Sequence, residues 1–301
     1  MTDSNHFDVI IIGGSYSGLS AAMSLGRALR SVLVIDAGQP CNRQAPHSHN
    51  FLTRDGETPQ EIARIGKEQV ARYTNVKFFE GFAVTGVKTT SAFTVTVQSG
   101  QLFSAKKLIF ATGLKDSMPD IEGFSESWGR SIIHCPYCHG YEVKNEKTGI
   151  LANGDDAFHY AQLISNWTKD LTVFTNGKST LTEEQLAKMN RHSIRVVETE
   201  IGKINQTDGQ IESLVLKDES VVLLKAIYTR LPYVQHSDIP EKLGCELTAQ
   251  GLLVVDDFKR TTVDGVYSCG DNSHMRSVPA AVASGSMVGA ALNNFLIMEE
   301  F

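Results

Sequence analysis

The sequence is short of the features that mark whole classes of protein. It has no long block of lysine or arginine, and 28 basic residues against 34 acidic ones leave a net charge of −6. The isoelectric point is near 5.9. This balance argues against nucleic acid as a partner. The first apolar run, Val9-Ile10-Ile11-Ile12, is far too short to cross a bilayer, so no membrane association is expected. Met1-Thr2-Asp3-Ser4 shows neither the basic region nor the cleavage pattern of an export signal. Eight prolines and 25 glycines give no sign of disorder or of a collagen repeat. The five cysteines, Cys41, Cys135, Cys138, Cys245 and Cys269, are too sparse, and odd in number, for a secreted disulfide framework. The expectation is a cytoplasmic protein, and 301 residues suffice for two domains.

What is present centres on His134-Cys135-Pro136-Tyr137-Cys138-His139-Gly140-Tyr141. A Cys-x-x-Cys pair opening a helical turn places both sulfurs on one face, close enough to bond. The helix N-terminus stabilises a thiolate there, so such pairs exchange disulfides readily. The same spacing is half of many zinc sites. Zinc would need a second ligand pair, and the chain offers only scattered histidines; His134 and His139 lie too close in sequence to complete a convergent set. No metal is expected.

The N-terminal stretch has nucleotide-binding order. Phe7-Asp8-Val9-Ile10-Ile11-Ile12 reads as a buried strand running into Gly13-Gly14-Ser15-Tyr16-Ser17-Gly18, then a small-residue helix, then the strand Val32–Ile35 ending at Asp36. In such a βαβ unit pyrophosphate rests on the helix N-terminus and the acid takes ribose hydroxyls. Ser15 stands where the second glycine of G-x-G-x-x-G belongs; it is small enough for phosphate to approach. Further on, the polar loops around Arg43 and Asn50 are rich in ligand-type residues. Residues 58–73 read as an amphipathic helix, 92–97 and 101–104 as a hairpin, and 107–110 as a separate buried strand ending in Ala111-Thr112-Gly113.

The βαβ unit, Ala111-Thr112-Gly113, Cys135-x-x-Cys138 and the late Tyr267-Ser268-Cys269-Gly270-Asp271 occur in an order that resembles the low-molecular-weight thioredoxin reductases, over nearly the whole chain. The resemblance implies an α/β fold of two Rossmann-like dinucleotide-binding domains of the three-layer ββα type. A discontinuous FAD domain would comprise 1–115 and 240–301, and a central redox domain 116–239. It implies FAD contacts from Gly13, Ser15, Gly18, Asp36, Ala37, Arg43, Asn50, Ala83, Ala111, Thr112, Gly113, Gly270 and Asp271. The helix opening at Pro279 and Ala280 would face the flavin pyrimidine, with Ala280 the better donor because Pro279 lacks an N–H. Cys138 would contact the flavin and Cys135 would exchange with substrate. Where the family usually carries an aspartate after the second cysteine, His139 stands here, suited to general acid/base work. A protonated His134 would favour the Cys135 thiolate. Cys41, Cys245 and Cys269 are expected to be structural.

The second βαβ unit departs from the family. Its turn reads Ala152-Asn153-Gly154-Asp155-Asp156-Ala157 where G-x-G-x-x-A is expected, and two carboxylates lie where phosphate would approach. The next strand ends in Thr175-Asn176-Gly177-Lys178, without the arginine cluster that clamps the 2′-phosphate of NADPH. NADPH is therefore doubtful. Pyridine-nucleotide-independent members of the family draw electrons from ferredoxin or a second flavin; others, of the gliotoxin type, are dithiol oxidases. The resemblance implies a thioredoxin-like protein or a small-molecule disulfide or dithiol as partner, and a homodimer. A flavin redox sensor without turnover is the rival from another class. A terminal Phe301 stacked over the flavin is a further expectation, against the simpler one of an aromatic at a helix end.

Overall fold

The computed structural model describes residues 5–301; Met1-Thr2-Asp3-Ser4, with its expected lack of an export signal, lies outside the described residues. The chain packs into two compact units. The first comprises 1–43, 51–115 and 233–301, and the second 44–50 and 116–232. The return to the first unit comes at Tyr233, seven residues before the expected 240, and the segment 44–50 packs with the second unit.

The chain opens with β1 (His6–Ile12), α1 (Tyr16–Arg27), β2 (Val32–Asp36), α2 (Pro59–Ala71) and β3 (Val76–Glu80). It continues through β4 (Ala83–Lys88), β5 (Phe93–Val97), β6 (Leu102–Phe110) and β7 (Leu114–Asp116). β1 pairs in parallel with both β2 and β6, and β2 with β3. β4 and β5 extend the sheet antiparallel from the first half of β6. The expected hairpin strand and the separate strand at 107–110 are one nine-residue strand, β6. It stays continuous because it has partners along its whole length, with β5 beside its start and β1 on one side from Ser104 to Phe110.

Alternation along β1 builds three layers. Val9 and Ile11 point to a core shared with Leu19, Ala22 and Leu25 of α1. Ile10 and Ile12 point to a second core with Phe93, Val95 and Val97. Each fully buried side chain of this kind contributes roughly 1.5–3 kcal/mol.

The second unit runs through α3 (Phe124–Ser127), β8 (Ile132–Ile133), α4 (Pro136–His139), β9 (Thr148–Leu151) and α5 (Gly154–Ile164). β10 (Leu171–Phe174), α6 (Glu183–Arg191), β11 (Arg195–Val197), β12 (Ile201–Thr207), β13 (Gln210–Leu216), β14 (Val221–Leu223) and β15 (Ala226–Tyr228) follow. Its parallel sheet has the order β11-β10-β9-β15-β8, with a separate antiparallel sheet β12-β13-β14. The same layering recurs. Ile132, Phe174 and Ile227 pack with Ile204 and Leu214 of the antiparallel sheet, while Ile150, Val173 and Tyr228 pack with Ala157, Tyr160 and Ile164 of α5.

The chain closes with β16 (Tyr233–Gln235), α7 (Ile239–Lys242), β17 (Val266–Ser268) and α8 (Val278–Glu300). β16 pairs with β7, and β17 lies parallel to the second half of β6. α8 is long and apolar enough to cross a membrane by length and composition. In this fold, however, Ala281, Gly285, Val288, Gly289, Leu292 and Leu296 form a buried face. Two glycines bring it against α1: a Cβ on Gly285 would stand 2.1 Å from the Ser17 carbonyl oxygen, and one on Gly289 2.6 Å from Ser24 Cβ. Ser20 Oγ donates to the Val282 carbonyl across the same contact, at 2.7 Å.

Phe301 is fully exposed, at the opposite end of α8 from Ala280. A straight helix of 23 residues is about 34 Å long at 1.5 Å per residue. Within its own chain Phe301 is thus remote from the turn expected to meet the flavin, which corrects the stacking expectation. The last turn is held by ion pairs: Lys107 Nζ to Glu299 at 2.6 Å, and Arg30 and Lys106 to Glu300 at 2.6 and 2.8 Å.

Candidate active site

In the first unit, parallel register brings the strand ends together. β1 ends at Gly13, β6 at Ala111-Thr112-Gly113, and β17 leads into Gly270-Asp271, all along one sheet edge. Gly13, at φ +105°, lies against β6 so closely that a Cβ would stand 2.2 Å from the Ala111 carbonyl oxygen. A Cβ on Gly18 would stand 1.9 Å from the Gly13 carbonyl oxygen. These two glycines therefore hold the turn tight against helix and strand, as a phosphate cradle requires. Ser15 is the N-cap of α1, extended in backbone, and its side chain caps nothing. The first-turn N–H groups, with the positive end of the helix dipole, are left to an anion.

Asp36 Oδ1 accepts from the Gly14 N–H at 3.0 Å, tying the end of β2 to the turn. Beside it opens a cavity of about 240 Å³ lined by Gly14, Asp36, Lys67, Phe78, Phe79 and Glu80. An acid over aromatic walls suits an adenosine. The last four of these residues escaped sequence reasoning; the register pairing Asp36 with Glu80 across β2 and β3 places Phe78, Phe79 and Glu80 there, and Lys67 comes from α2. At the other end, Asn42 Oδ1, Asn272 Oδ1 and Ser273 Oγ are buried with no hydrogen-bond partner among the described residues. Asp271 is approached by Cys41 Sγ at 3.7 Å and by Arg276 at 4.0 Å. The glycine cradle, the cavity and the unpartnered polar atoms fit a dinucleotide such as FAD.

Other expected contacts are placed differently. The Ala280 N–H donates to Ser277 Oγ at 3.2 Å, so the donor expected to face the flavin is engaged by its own N-cap. Pro279 sits beside it in the first turn. Ala83 is buried in the β-side core. Ala37 and Arg43 are exposed, and the Arg43 guanidinium donates to the Pro40 carbonyl at 3.1 Å. Asn50, left-handed at φ +59°, packs with the second unit.

In the second unit, β8 delivers His134 and Cys135 to the start of α4. Cys135 is the extended N-cap, Pro136 follows at the first helical position, and Cys138 comes one turn later. Both are free thiols in this structure. The Cys138 S–H donates to the Cys135 sulfur, which lowers the Cys135 pKa to about 7 against the opposing effect of burial. The Cys138 and Tyr137 N–H groups lower it further. The same bond, with burial, pushes Cys138 well up. The turn thus separates the sulfurs into a ready thiolate and a retained thiol. Cys269, by contrast, is pushed up to about 12 by burial, and burial also raises Cys245; both are core residues.

His139 is held below its ordinary value by burial, with Glu142 opposing and His49 reinforcing the shift. His49 Nε2 lies 3.5 Å from Glu142 Oε1. Sequence reasoning reached His139 alone. Glu142 lies three residues on, past the C-cap of α4 at Gly140; His49 had no local signal. His134 stacks on Trp128, centroids 6.0 Å apart, and its carbonyl accepts from Tyr160 OH at 3.2 Å. Among the described residues no cluster of His, Cys, Asp and Glu could hold a metal ion.

The second nucleotide turn is closed. Asn153 caps α5, its Oδ1 accepting from Gly154 N at 2.8 Å, Thr180 N at 2.9 Å and Thr180 Oγ1 at 3.2 Å. Its Nδ2 donates to the Lys178 carbonyl at 2.9 Å. Asp155 accepts from Gln185 Nε2 at 2.8 Å. The loop after β10 is stitched across the helix start.

Residues 7–285 match the family model for pyridine nucleotide-disulphide oxidoreductase. The chain is 32% identical to a thioredoxin reductase, tcpT, of Claviceps purpurea, over 99% of this chain and 97% of that one. An oxidoreductase structure from Agrobacterium tumefaciens superposes with a TM-score of 0.91 at 39% identity, covering 97% of this chain and 99% of that one. A putative thioredoxin reductase, TrxB, from Bacillus anthracis does so with 0.94 at 29% identity, over 98% of this chain and 100% of that one. The protein is thus a thioredoxin-reductase-like, FAD-dependent oxidoreductase, and the chain belongs to the pyridine nucleotide-disulphide oxidoreductase family.

Proposed function

We propose that the enzyme is a thiol–disulfide oxidoreductase that passes an electron pair between FAD and the Cys135–Cys138 pair and does not use NADPH. The observation that carries this reading is Asn153. Its side chain and the 178–180 loop occupy the start of α5, where pyrophosphate would rest, with four hydrogen bonds. A ligand phosphate would have to break that set and then face Asp155 and Asp156.

The residues proposed to hold FAD are Gly13, Ser15, Gly18 and Asp36 at its adenosine end, with Ala111, Thr112, Gly113, Gly270 and Asp271 along the strand ends. Bound there, the flavin takes up or supplies the electron pair. Cys135 is the exchange thiol, and His139 the group that takes or returns its partner's proton. In the reducing direction the substrate is a protein or small-molecule disulfide, and the donor is reduced ferredoxin or another flavin.

The opposite direction has its own support. A Cys135 thiol lowered to about 7 stabilises the reduced pair, which makes the Cys135–Cys138 disulfide the better oxidant. A small dithiol then brings its own electrons. It gives up two protons and one electron pair, its two sulfurs join, and the Cys135–Cys138 bond is broken; dioxygen is the acceptor that returns the flavin to its oxidised state. The functional homodimer and cytoplasmic location implied by the resemblance belong to this proposal.

Anaerobic titration while recording flavin absorbance tests it. The flavin is expected to stay oxidised with stoichiometric NADPH or NADH and to bleach with dithiothreitol. Bleaching by stoichiometric NADPH would overturn the reading.

A further inference from the structure

The helical turn that carries the dithiol is too short to hold itself wound. α4 has four residues, far below the roughly 12–15 at which an isolated helix becomes marginal in water. Its backbone closes through three bonds: the Cys138 and His139 N–H groups donate to the Cys135 carbonyl, both at 3.2 Å, and the Gly140 N–H to the Pro136 carbonyl at 2.8 Å. While the Cys135–Cys138 bond exists, it fixes the turn covalently. When an electron pair and one proton enter, that bond is replaced by a thiolate on Cys135 and a thiol on Cys138, and the covalent brace is gone. A weak S–H donor and the packing around the turn then keep the sulfurs together.

The chain has two tryptophans, and both meet this motif. Trp128, buried, stacks on His134 where the chain enters the turn. Trp167 stands at the exit. Its ring is edge-on to that of Tyr137, centroids 5.6 Å apart at 89°. It also lies so close to Gly140 that a Cβ there would stand 2.9 Å from both Cδ1 and Nε1 of the indole. The missing side chain is what lets the ring reach the backbone of the turn. Trp167 is itself anchored. Its N–H donates to the Ile164 carbonyl at the end of α5, at 2.8 Å, and its carbonyl accepts from the Asn145 N–H at 2.9 Å. The hydroxyl of the next residue, Thr168, donates to the Glu146 carbonyl at 2.8 Å. Tyr137 is 64% exposed, so of the two rings the indole is the fixed one.

We propose that Trp167 is a positioning residue that keeps the redox turn closed in the dithiol state. The inference rests on the thiol–disulfide reading above. The Cys138 S–H and the N–H groups of Tyr137 and Cys138 act on the Cys135 sulfur, and they do so only while the turn is wound. A turn that frays after reduction loses these donors, and Cys135 returns to an ordinary thiol. The indole thus keeps the exchange sulfur ionised in the state in which it must attack. In the disulfide state the covalent bond makes the clamp redundant.

The test compares FAD-loaded wild type, Trp167→Ala, Trp167→Phe and Tyr137→Ala, each with the pair reduced and with it oxidised. Amide hydrogen exchange is read by mass spectrometry on the peptide that carries Cys138, His139 and Gly140. It is expected to be about tenfold faster in reduced Trp167→Ala than in reduced wild type, and equal in the two oxidised proteins. The pH midpoint of Cys135 alkylation should rise by about 0.5–1 in Trp167→Ala, towards the ordinary value of about 8.5, and return in Trp167→Phe, which restores a flat ring. Tyr137→Ala, at an exposed position, should move both readouts the same way by less, and it decides the question if Trp167→Ala does not fold. Unchanged exchange in the reduced protein, or an unchanged midpoint, would overturn the clamp. So would exchange accelerated equally in both redox states, the mark of a purely structural residue. If the wild-type flavin fails to bleach with dithiothreitol, the functional reading fails, while exchange and midpoint still decide whether the indole holds the turn.

Discussion

Asn153 and Thr180 are joined twice: Asn153 Oδ1 accepts from both the backbone N–H and the hydroxyl of Thr180, at 2.9 and 3.2 Å. One amide oxygen also caps the helix that begins at Gly154. A turn that elsewhere in the fold would cradle a ligand is here part of the protein's own hydrogen bonding. Gly154, left-handed at φ +55°, lets the loop approach; a Cβ there would stand 2.8 Å from Thr180 Oγ1.

Asn153→Ala is expected to lower stability by about 1–2 kcal/mol, the usual cost of losing an N-cap, as measured by urea unfolding. It should not create NADPH-dependent flavin reduction, since Asp155 and Asp156 remain at the helix start. Reduction by stoichiometric NADPH in this variant would show that the asparagine alone keeps the nucleotide out.

Cys138→Ala removes the S–H donor that does most to lower Cys135. The pH midpoint of Cys135 alkylation by iodoacetamide, held down in the wild type by that bond, should rise towards the ordinary cysteine value of about 8.5. The sign follows from the thiolate being the reactive form: the variant is less ionised at about pH 7, so alkylation there should slow by roughly threefold, the greater nucleophilicity of the less acidic thiolate offsetting part of the loss. An unchanged midpoint would assign the thiolate to the backbone N–H groups alone.

Gly18→Ala drives a Cβ to 1.9 Å from the Gly13 carbonyl oxygen. Backbone cannot step aside as a flexible side chain can, so the helix must shift off the strand. The expected result is a loss of about 1–3 kcal/mol or more and protein purified largely without flavin, read from the ratio of absorbance at 450 and 280 nm, roughly the flavin and protein bands. Full flavin content would show that the turn is looser than its geometry implies.

Deleting Phe301 should leave the flavin spectrum and the dithiothreitol bleaching rate unchanged, because the residue is exposed at the far end of α8. Glu299→Ala should act differently. It strips the partner from Lys107, whose side chain is 9% exposed, and should cost on the order of 1–2 kcal/mol, less than a fully buried pair because the glutamate is half exposed. Thermal unfolding of the two variants separates these outcomes.

Much of this protein is determined by local sequence. The Val9–Ile12 run, alternating between two cores, dictates a strand buried on both faces. Gly13 and Gly18 are needed wherever a strand, a turn and a helix meet at such distances. Cys135-Pro136-Tyr137-Cys138 writes its own helical turn, with proline at the one position where a missing N–H costs nothing. These features depend on neighbours within a few residues, so they are legible without a fold. Tertiary structure decided what lay between distant residues. His49 meets Glu142 across 93 positions of sequence, Glu80 meets Asp36 beside one cavity through strand register while α2 brings Lys67 to it, and Thr180 closes on Asn153. The two carboxylates of the second turn could be read as hostile to phosphate from the sequence. That the turn is filled by its own asparagine could not, because a side-chain amide finds its partners only once β10 has brought the following loop alongside β9.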